Sequence, residues 1–335
     1  TAGRLAEALT LSAAAAIGVY ADAATAAAKA DDAYRLAIEL GDPGAILDAT
    51  WAHALAAHAN GELPARLREY LRATRHLPEI ATHVFDGQLC VTERMLYGGL
   101  PSAEIIAFAD GLAEEAQRLG AARGHAFALT LRGEALLLAG RLDDADRDFA
   151  EGARLHGRIG ASAGEALSLL GRAQVATYRC RPEHARPFLA DALQLARESE
   201  VGHHTLDRVY GAMVEAAGDP HGGLELVREA ESAIRGPAET CPTCRIAFIV
   251  PAAIAAARAG DLERADRYAQ DCETAIEIVA LPPAWHAAVA EVRGWVARAN
   301  GRPDEAREHL RQAADGFGAW GQPLDARRCA ELAGG

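Results

Sequence analysis

Ala139-Gly140-Arg141-Leu142-Asp143-Asp144-Ala145 returns downstream in altered form as Arg179-Cys180-Arg181-Pro182-Glu183-His184-Ala185, Ala259-Gly260-Asp261-Leu262-Glu263-Arg264-Ala265 and Asn300-Gly301-Arg302-Pro303-Asp304-Glu305-Ala306. The closing alanines, Ala145, Ala185, Ala265 and Ala306, are spaced by 40, 80 and 41 residues. The period is therefore near 40, and one copy should lie between the second and the third. It is present as Ala217-Gly218-Asp219-Pro220-His221-Gly222-Gly223-Leu224, followed by a helical run from Glu225 to Ile234. Upstream, Asn60-Gly61-Glu62-Leu63-Pro64-Ala65 and Gly98-Gly99-Leu100-Pro101-Ser102-Ala103 fall near the same phase. A degenerate segment from Tyr20 to Thr25 brings the count to about eight, and a fixed period of this length marks a repeat array.

Each anchor has a local physical meaning. Gly or Asn ends one helix in a left-handed conformation, and Asp, Glu or Pro opens the next. The alanine that follows is small because two helices cross there. Half a period later a second mark recurs: Leu40-Gly41-Asp42-Pro43, Leu119-Gly120, Ile159-Gly160, Val201-Gly202, Leu281-Pro282-Pro283 and Trp320-Gly321-Gln322-Pro323. Two turns per period mean two helices per repeat. Between the marks, apolar residues recur at helical spacing, as in Leu129, Leu136 and Leu137, or Leu167, Leu170 and Val175.

Composition agrees with an array. A chain of 335 residues is long for one hydrophobic core, and Ala supplies much of its apolar half while aromatics supply 5%. Such a mixture suits close packing of helices with small residues. Runs of β-branched residues that would favour strands are almost absent. The formal net charge of -13 repels phosphate backbones and anionic lipid surfaces, so direct nucleic-acid or membrane binding is not expected. Leu9 to Ala21 is too short to span a bilayer and lacks the basic lead of a signal peptide. Six cysteines in this length do not form a disulfide framework, which points to a reducing cytoplasm. The start at Thr1 inside a helical pattern suggests a piece of a longer multidomain protein.

The hairpin with small residues at the crossing, followed by Gly-Asp/Arg-Leu/Pro-x-x-Ala, resembles a tetratricopeptide repeat with lengthened helices. That resemblance covers the whole chain and implies a right-handed α-solenoid over residues 1–335. More narrowly, the stretch from about Ala121 onward is similar to the carboxy-terminal helical regions of large ATP-binding bacterial transcriptional regulators of the LuxR and STAND type. It includes Glu239-Thr240-Cys241-Pro242-Thr243-Cys244 and Gly321-Gln322-Pro323-Leu324-Asp325-Ala326-Arg327-Arg328-Cys329. The resemblance implies that this region receives an inducer molecule or a protein partner, while nucleotide-binding and DNA-binding modules of the same parent act on the signal. Neither module is visible here. The one lysine, Lys29, lies in an Ala-rich helix, so there is no P-loop, and no basic recognition helix stands out.

Three motifs invite a chemical reading. Gly160-Ala161-Ser162-Ala163-Gly164 matches the nucleophile-elbow pattern, but the preceding Phe149 to Ile159 is helical rather than a strand. Ser162 with Glu165 reads instead as a capping box. Acidic groups such as Asp143, Asp144, Asp146 and Asp148 sit opposite interspersed Arg and read as a solvated helix face. Cys241-Pro242-Thr243-Cys244 is the sharpest signal. His203 and His204 stand in the same phase one repeat earlier, and His286 one repeat later. Equivalent turns of stacked repeats come within about 10 Å, so Cys241, Cys244 and His203 or His204 form a candidate zinc site on one edge of the solenoid. Reversible thiol chemistry and plain apolar packing remain open for the same cysteines.

The sequence thus predicts a non-catalytic sensory or interaction domain that binds an inducer or a protein segment in its groove. Two other readings stand beside it: a metal- or redox-responsive switch through Cys241 and Cys244 with His203 or His204, and a scaffold for assembly or autoinhibition.

Overall fold

The computed structural model describes residues 2–19, 21–97, 100–234, 241, 243–278 and 283–334. Tyr20, Gly98-Gly99, Glu239-Thr240, Pro242 and Leu281-Pro282, all named in the repeat and motif assignments above, lie outside the described residues. Among the described residues the chain is all-α, an α-solenoid of successive helix hairpins with no strand. The helices are α1 (Ala2–Gly18), α2 (Ala23–Leu40), α3 (Pro43–Ala59), α4 (Leu63–Thr74), α5 (Pro78–Asp86), α6 (Leu89–Tyr97), α7 (Ser102–Leu119), α8 (Ala122–Leu138) and α9 (Leu142–Arg158). They continue as α10 (Ser162–Tyr178), α11 (Pro182–Glu198), α12 (Gly202–Glu215), α13 (Pro220–Ala233), α14 (Ile246–Ala259), α15 (Leu262–Ile278), α16 (Pro283–Ala299), α17 (Pro303–Ala319) and α18 (Pro323–Gly334). None of these helices is long and apolar enough to cross a membrane.

The punctuation works as its chemistry requires. The anchor glycines Gly61, Gly140, Gly218, Gly260 and Gly301 have φ from 72 to 80°, and the half-period glycines Gly41, Gly120, Gly160 and Gly321 from 65 to 71°. The helix ends at Gly61, Gly120, Gly140, Gly160, Gly260, Gly301 and Gly321 are closed by a Schellman bond, such as Arg141 N to Leu136 O at 2.8 Å and Arg302 N to Ala297 O at 2.9 Å. Cys180 takes the place of the anchor glycine between α10 and α11 and adopts φ 56° despite its Cβ. The alanines that close the motif, Ala145, Ala185, Ala265 and Ala306, are at most 1% exposed, as a helix crossing demands.

Three local expectations are corrected. The third repeat holds a broken helix, α5 and α6, because a Cβ at Gly87 would lie 2.7 Å from the Leu47 carbonyl oxygen and the Gln88 amide donates to Val84 O at 3.0 Å. The helix backbone yields there to tertiary contact. Ser162 is not a cap: α10 is preceded by Ala161 at the N-cap position with no side-chain cap bond, and Gly160 to Gly164 forms a turn and a first helical turn, not an elbow. Asp148 is buried rather than solvated, gripped by Arg132 through bonds of 2.6 and 2.7 Å.

The chain forms two compact units, Thr1–Met95 with Ala107–Leu129, and Leu96–Ile106 with Thr130–Gly335. In the first, Asp31 of α2, His53 of α3 and Tyr70 of α4 form a chain: His53 Nε2 lies 2.6 Å from Asp31 and its Nδ1 2.7 Å from the Tyr70 hydroxyl. Tyr70 is fully buried and Asp31 is exposed, so the chain ties three helices together from the core to the surface. In the second, the Phe149 ring is wedged between Gly133 and Gly171, where added Cβ atoms would come within 2.8 and 2.3 Å of it. A larger apolar cluster runs from Val209 and Tyr210 through Phe248 and Ile249 to Val292 and Phe317.

Candidate functional site

Two polar constellations of the second unit are built by neighbouring even-numbered helices. The first joins the start of α12 to the turn before α14. A Cβ at Gly211 of α12 would sit 2.0 Å from the Ala247 carbonyl oxygen, so only glycine lets the two backbones lie this close. That approach places His204, two turns before Gly211, beside Cys244, three residues before Ala247. Cys244 Sγ lies 3.8 Å from His204 Nδ1, and the donor atoms of His204, Cys241 and Cys244 lie within 4.8 Å of one another. All three side chains are buried. The turn is closed by Arg245 N donating to Cys241 O at 2.9 Å.

The structure thus brings together Cys241, Cys244 and His204, a Cys/His cluster that could hold a metal ion. His203 packs its half-buried ring 4.0 Å from that of His204, and burial followed by the neighbouring imidazole lowers its pKa. His286 is exposed on α16. Sequence reasoning missed Asp207, one turn after His204 on α12. It is 0% exposed, neither carboxylate oxygen has a hydrogen-bond partner among the described residues, and Arg245 approaches no closer than 3.7 Å. Burial pushes its carboxyl up to about 7, against the pull of Arg245.

The second constellation was not foreseen at all. Tyr178 at the end of α10 donates to both oxygens of Asp325 on α18 at 2.9 Å. Arg328 of α18 holds Asp325 at 2.5 Å and reaches Glu291 of α16 with bonds of 3.2 and 2.6 Å. Glu215, the last residue of α12, faces the same group and accepts no hydrogen bond from the described residues. It reaches solvent at the open side, yet crowding by the helices around it, and then Asp325 and Glu291, push its carboxyl up to about 7 against the pull of Arg328. One guanidinium therefore serves three carboxyl groups. The only sequence hint is Glu291 within Ala288-Val289-Ala290-Glu291-Val292, an acid on an otherwise apolar face that is 3% exposed.

Beside these lies a cavity of about 250 Å3 lined by Glu231, Arg245, Phe248, Arg267, Tyr268 and Asp271. Its central acid is already committed. Glu231 accepts from Arg264, Arg267 and Tyr268 at 2.5 to 3.1 Å, led by Arg264, and these bonds hold its pKa down to about 2. Trp295 of α16 is covered by Arg258 and Arg298 at 5.5 and 5.4 Å from its ring, which accounts for that tryptophan as packing.

No family model matches the chain, and no curated protein matches its sequence. Among solved structures, the TPR domain of P58(IPK) is similar over 98% of this chain and 98% of that chain, at 12% identity and a TM-score of 0.23.

Proposed function

We propose that the chain is a single non-catalytic repeat domain that binds a basic protein segment through the Glu215 cluster of its second unit. The observation that carries this reading is the charge imbalance there. Glu215, Glu291 and Asp325 face one Arg328, and Glu215 is both exposed and without a hydrogen-bond donor among the described residues. An arginine or lysine side chain entering the cluster would supply the missing donor and the missing positive charge. The net charge of -13 would steer such a segment toward the chain.

A small-molecule inducer is the weaker form of the same reading. The cavity of about 250 Å3 falls below the range of about 300 to 1,000 Å3 usual for small-ligand sites, and its acid is occupied by two arginines. The sequence similarity from Ala121 onward supports placing the domain as the sensory region of a larger cytoplasmic transcriptional regulator, whose nucleotide-binding and DNA-binding modules would respond to the bound segment.

The test is fluorescence anisotropy with a labelled oligo-arginine peptide and an oligo-glutamate control. The arginine peptide should bind and the glutamate peptide should not, and Glu215→Gln should weaken binding about tenfold or more, the loss of about 1.4 kcal/mol. Binding that ignores Glu215→Gln would end this assignment of the surface.

A further inference from the structure

We infer that Cys241, Cys244 and His204 form a structural site for a thiophilic divalent cation, zinc above all, which clamps the turn before α14 onto the start of α12. Three independent observations carry it.

The first is distance. Tetrahedral zinc holds sulfur at about 2.3 Å and nitrogen at about 2.0 to 2.1 Å, which sets neighbouring sulfur and nitrogen donors about 3.6 Å apart. Cys244 Sγ and His204 Nδ1 stand at 3.8 Å, and Cys241 completes a set within 4.8 Å. Closing on an ion needs side-chain movements of about an ångström or less, not a backbone rearrangement.

The second is contrast with another buried cysteine of this unit. Cys272 lies in the apolar cluster, and burial drives its thiol upward, which is how cysteine behaves as a small packing residue. Cys241 and Cys244 instead meet an imidazole nitrogen near the amino-terminal ends of α12 and α14.

The third is the buried charge. Asp207, 0% exposed, has two oxygens without a hydrogen-bond partner among the described residues and lies close to Cys241. With an ion bound, two thiolates cancel its two charges and the imidazole stays neutral. Asp207 faces Arg245 at 3.7 Å, and the Arg245 side chain reaches solvent. Within the second unit, these residues supply three donors.

The function of such a site is mechanical. Two adjacent repeats, otherwise joined by apolar packing, would be locked in register at one end, and stability would rise with free zinc as mass action requires.

The full chain, treated with chelator, is titrated with cobalt(II) and examined by native mass spectrometry after zinc addition. The expected result is one ion per chain, thiolate-to-cobalt charge-transfer bands, release of about two protons, and a rise in Tm on adding zinc. Cys241→Ser, Cys244→Ser and His204→Ala should each weaken cobalt binding more than about 100-fold, and Asp207→Asn about tenfold, in the range known for outer groups. Cys272→Ala should leave it unchanged. If a ligand variant fails to fold, alkylation of the unaltered chain decides: zinc should slow modification of Cys241 and Cys244 relative to exposed Cys180. Absence of the charge-transfer bands, binding that survives the ligand substitutions, equal alkylation rates with and without zinc, or a Cys241–Cys244 disulfide in place of metal uptake would each overturn the site.

Discussion

Tyr178 of α10 hydrogen-bonds both carboxylate oxygens of Asp325 of α18 at 2.9 Å, joining residues 147 apart in sequence. Within the second unit the last helix is thereby tied back to one that lies four hairpins earlier. Pro323 and Leu324 reinforce the tie by packing against Gly140. A hydrogen bond to a charged, largely buried carboxylate contributes about 1.5 to 3 kcal/mol. Tyr178→Phe should therefore lower the unfolding free energy by an amount in that range, read by urea denaturation, and raise amide exchange in α18. An unchanged exchange rate in α18 would show that the tie is dispensable.

Glu215 makes stability depend on pH in a stated direction. Its folded pKa, about 7, lies above the ordinary glutamate value, so the folded chain binds a proton that the unfolded chain has already lost between about pH 4.5 and 7. Its contribution is full below the lower of these values and is lost as pH rises through 7. Glu215→Gln should match the parent in Tm near pH 4.5 and exceed it near pH 8. A variant that is less stable than the parent at pH 8 would contradict the sign.

Among the described residues Cys180 stands at one of ten left-handed turns, the other nine of which use glycine, and its φ of 56° carries the steric cost that a Cβ brings in the left-handed region. Cys180→Gly should stabilise the chain by about 0.5 to 1 kcal/mol after the greater flexibility of unfolded glycine is deducted, and Cys180→Val should destabilise it. Chemical denaturation of the two variants checks both.

The turns were legible because glycine at a left-handed position is a strong local constraint, and its period survives even where Cys180 replaces it. The Cys/His cluster was legible for a related reason: His204 and Cys244 occupy one phase of successive repeats, so stacking brings them together. The break between α5 and α6 was not legible, since it arises from the approach of the Leu47 carbonyl to Gly87. Ser162 and Glu165 spelled a capping box, but the helix begins at Ser162 itself and Ala161 takes the N-cap position. The Glu215 cluster was hidden because its members come from four helices, and no spacing along the chain records that α18 returns to α10. Asp207 escaped notice in a run, Thr205-Leu206-Asp207-Arg208, that reads as an ordinary exposed turn of helix.

The most direct test of the proposed recognition surface is proton-linked isothermal titration calorimetry of the oligo-arginine peptide in buffers of different ionisation enthalpy at pH 7. A guanidinium entering beside Glu215 must lower its pKa, so binding should release a fraction of a proton from the parent chain and none from Glu215→Gln, with affinity rising from pH 6 to 8. Binding with the same proton release in the parent and in Glu215→Gln, or no binding at any pH, would contradict the account.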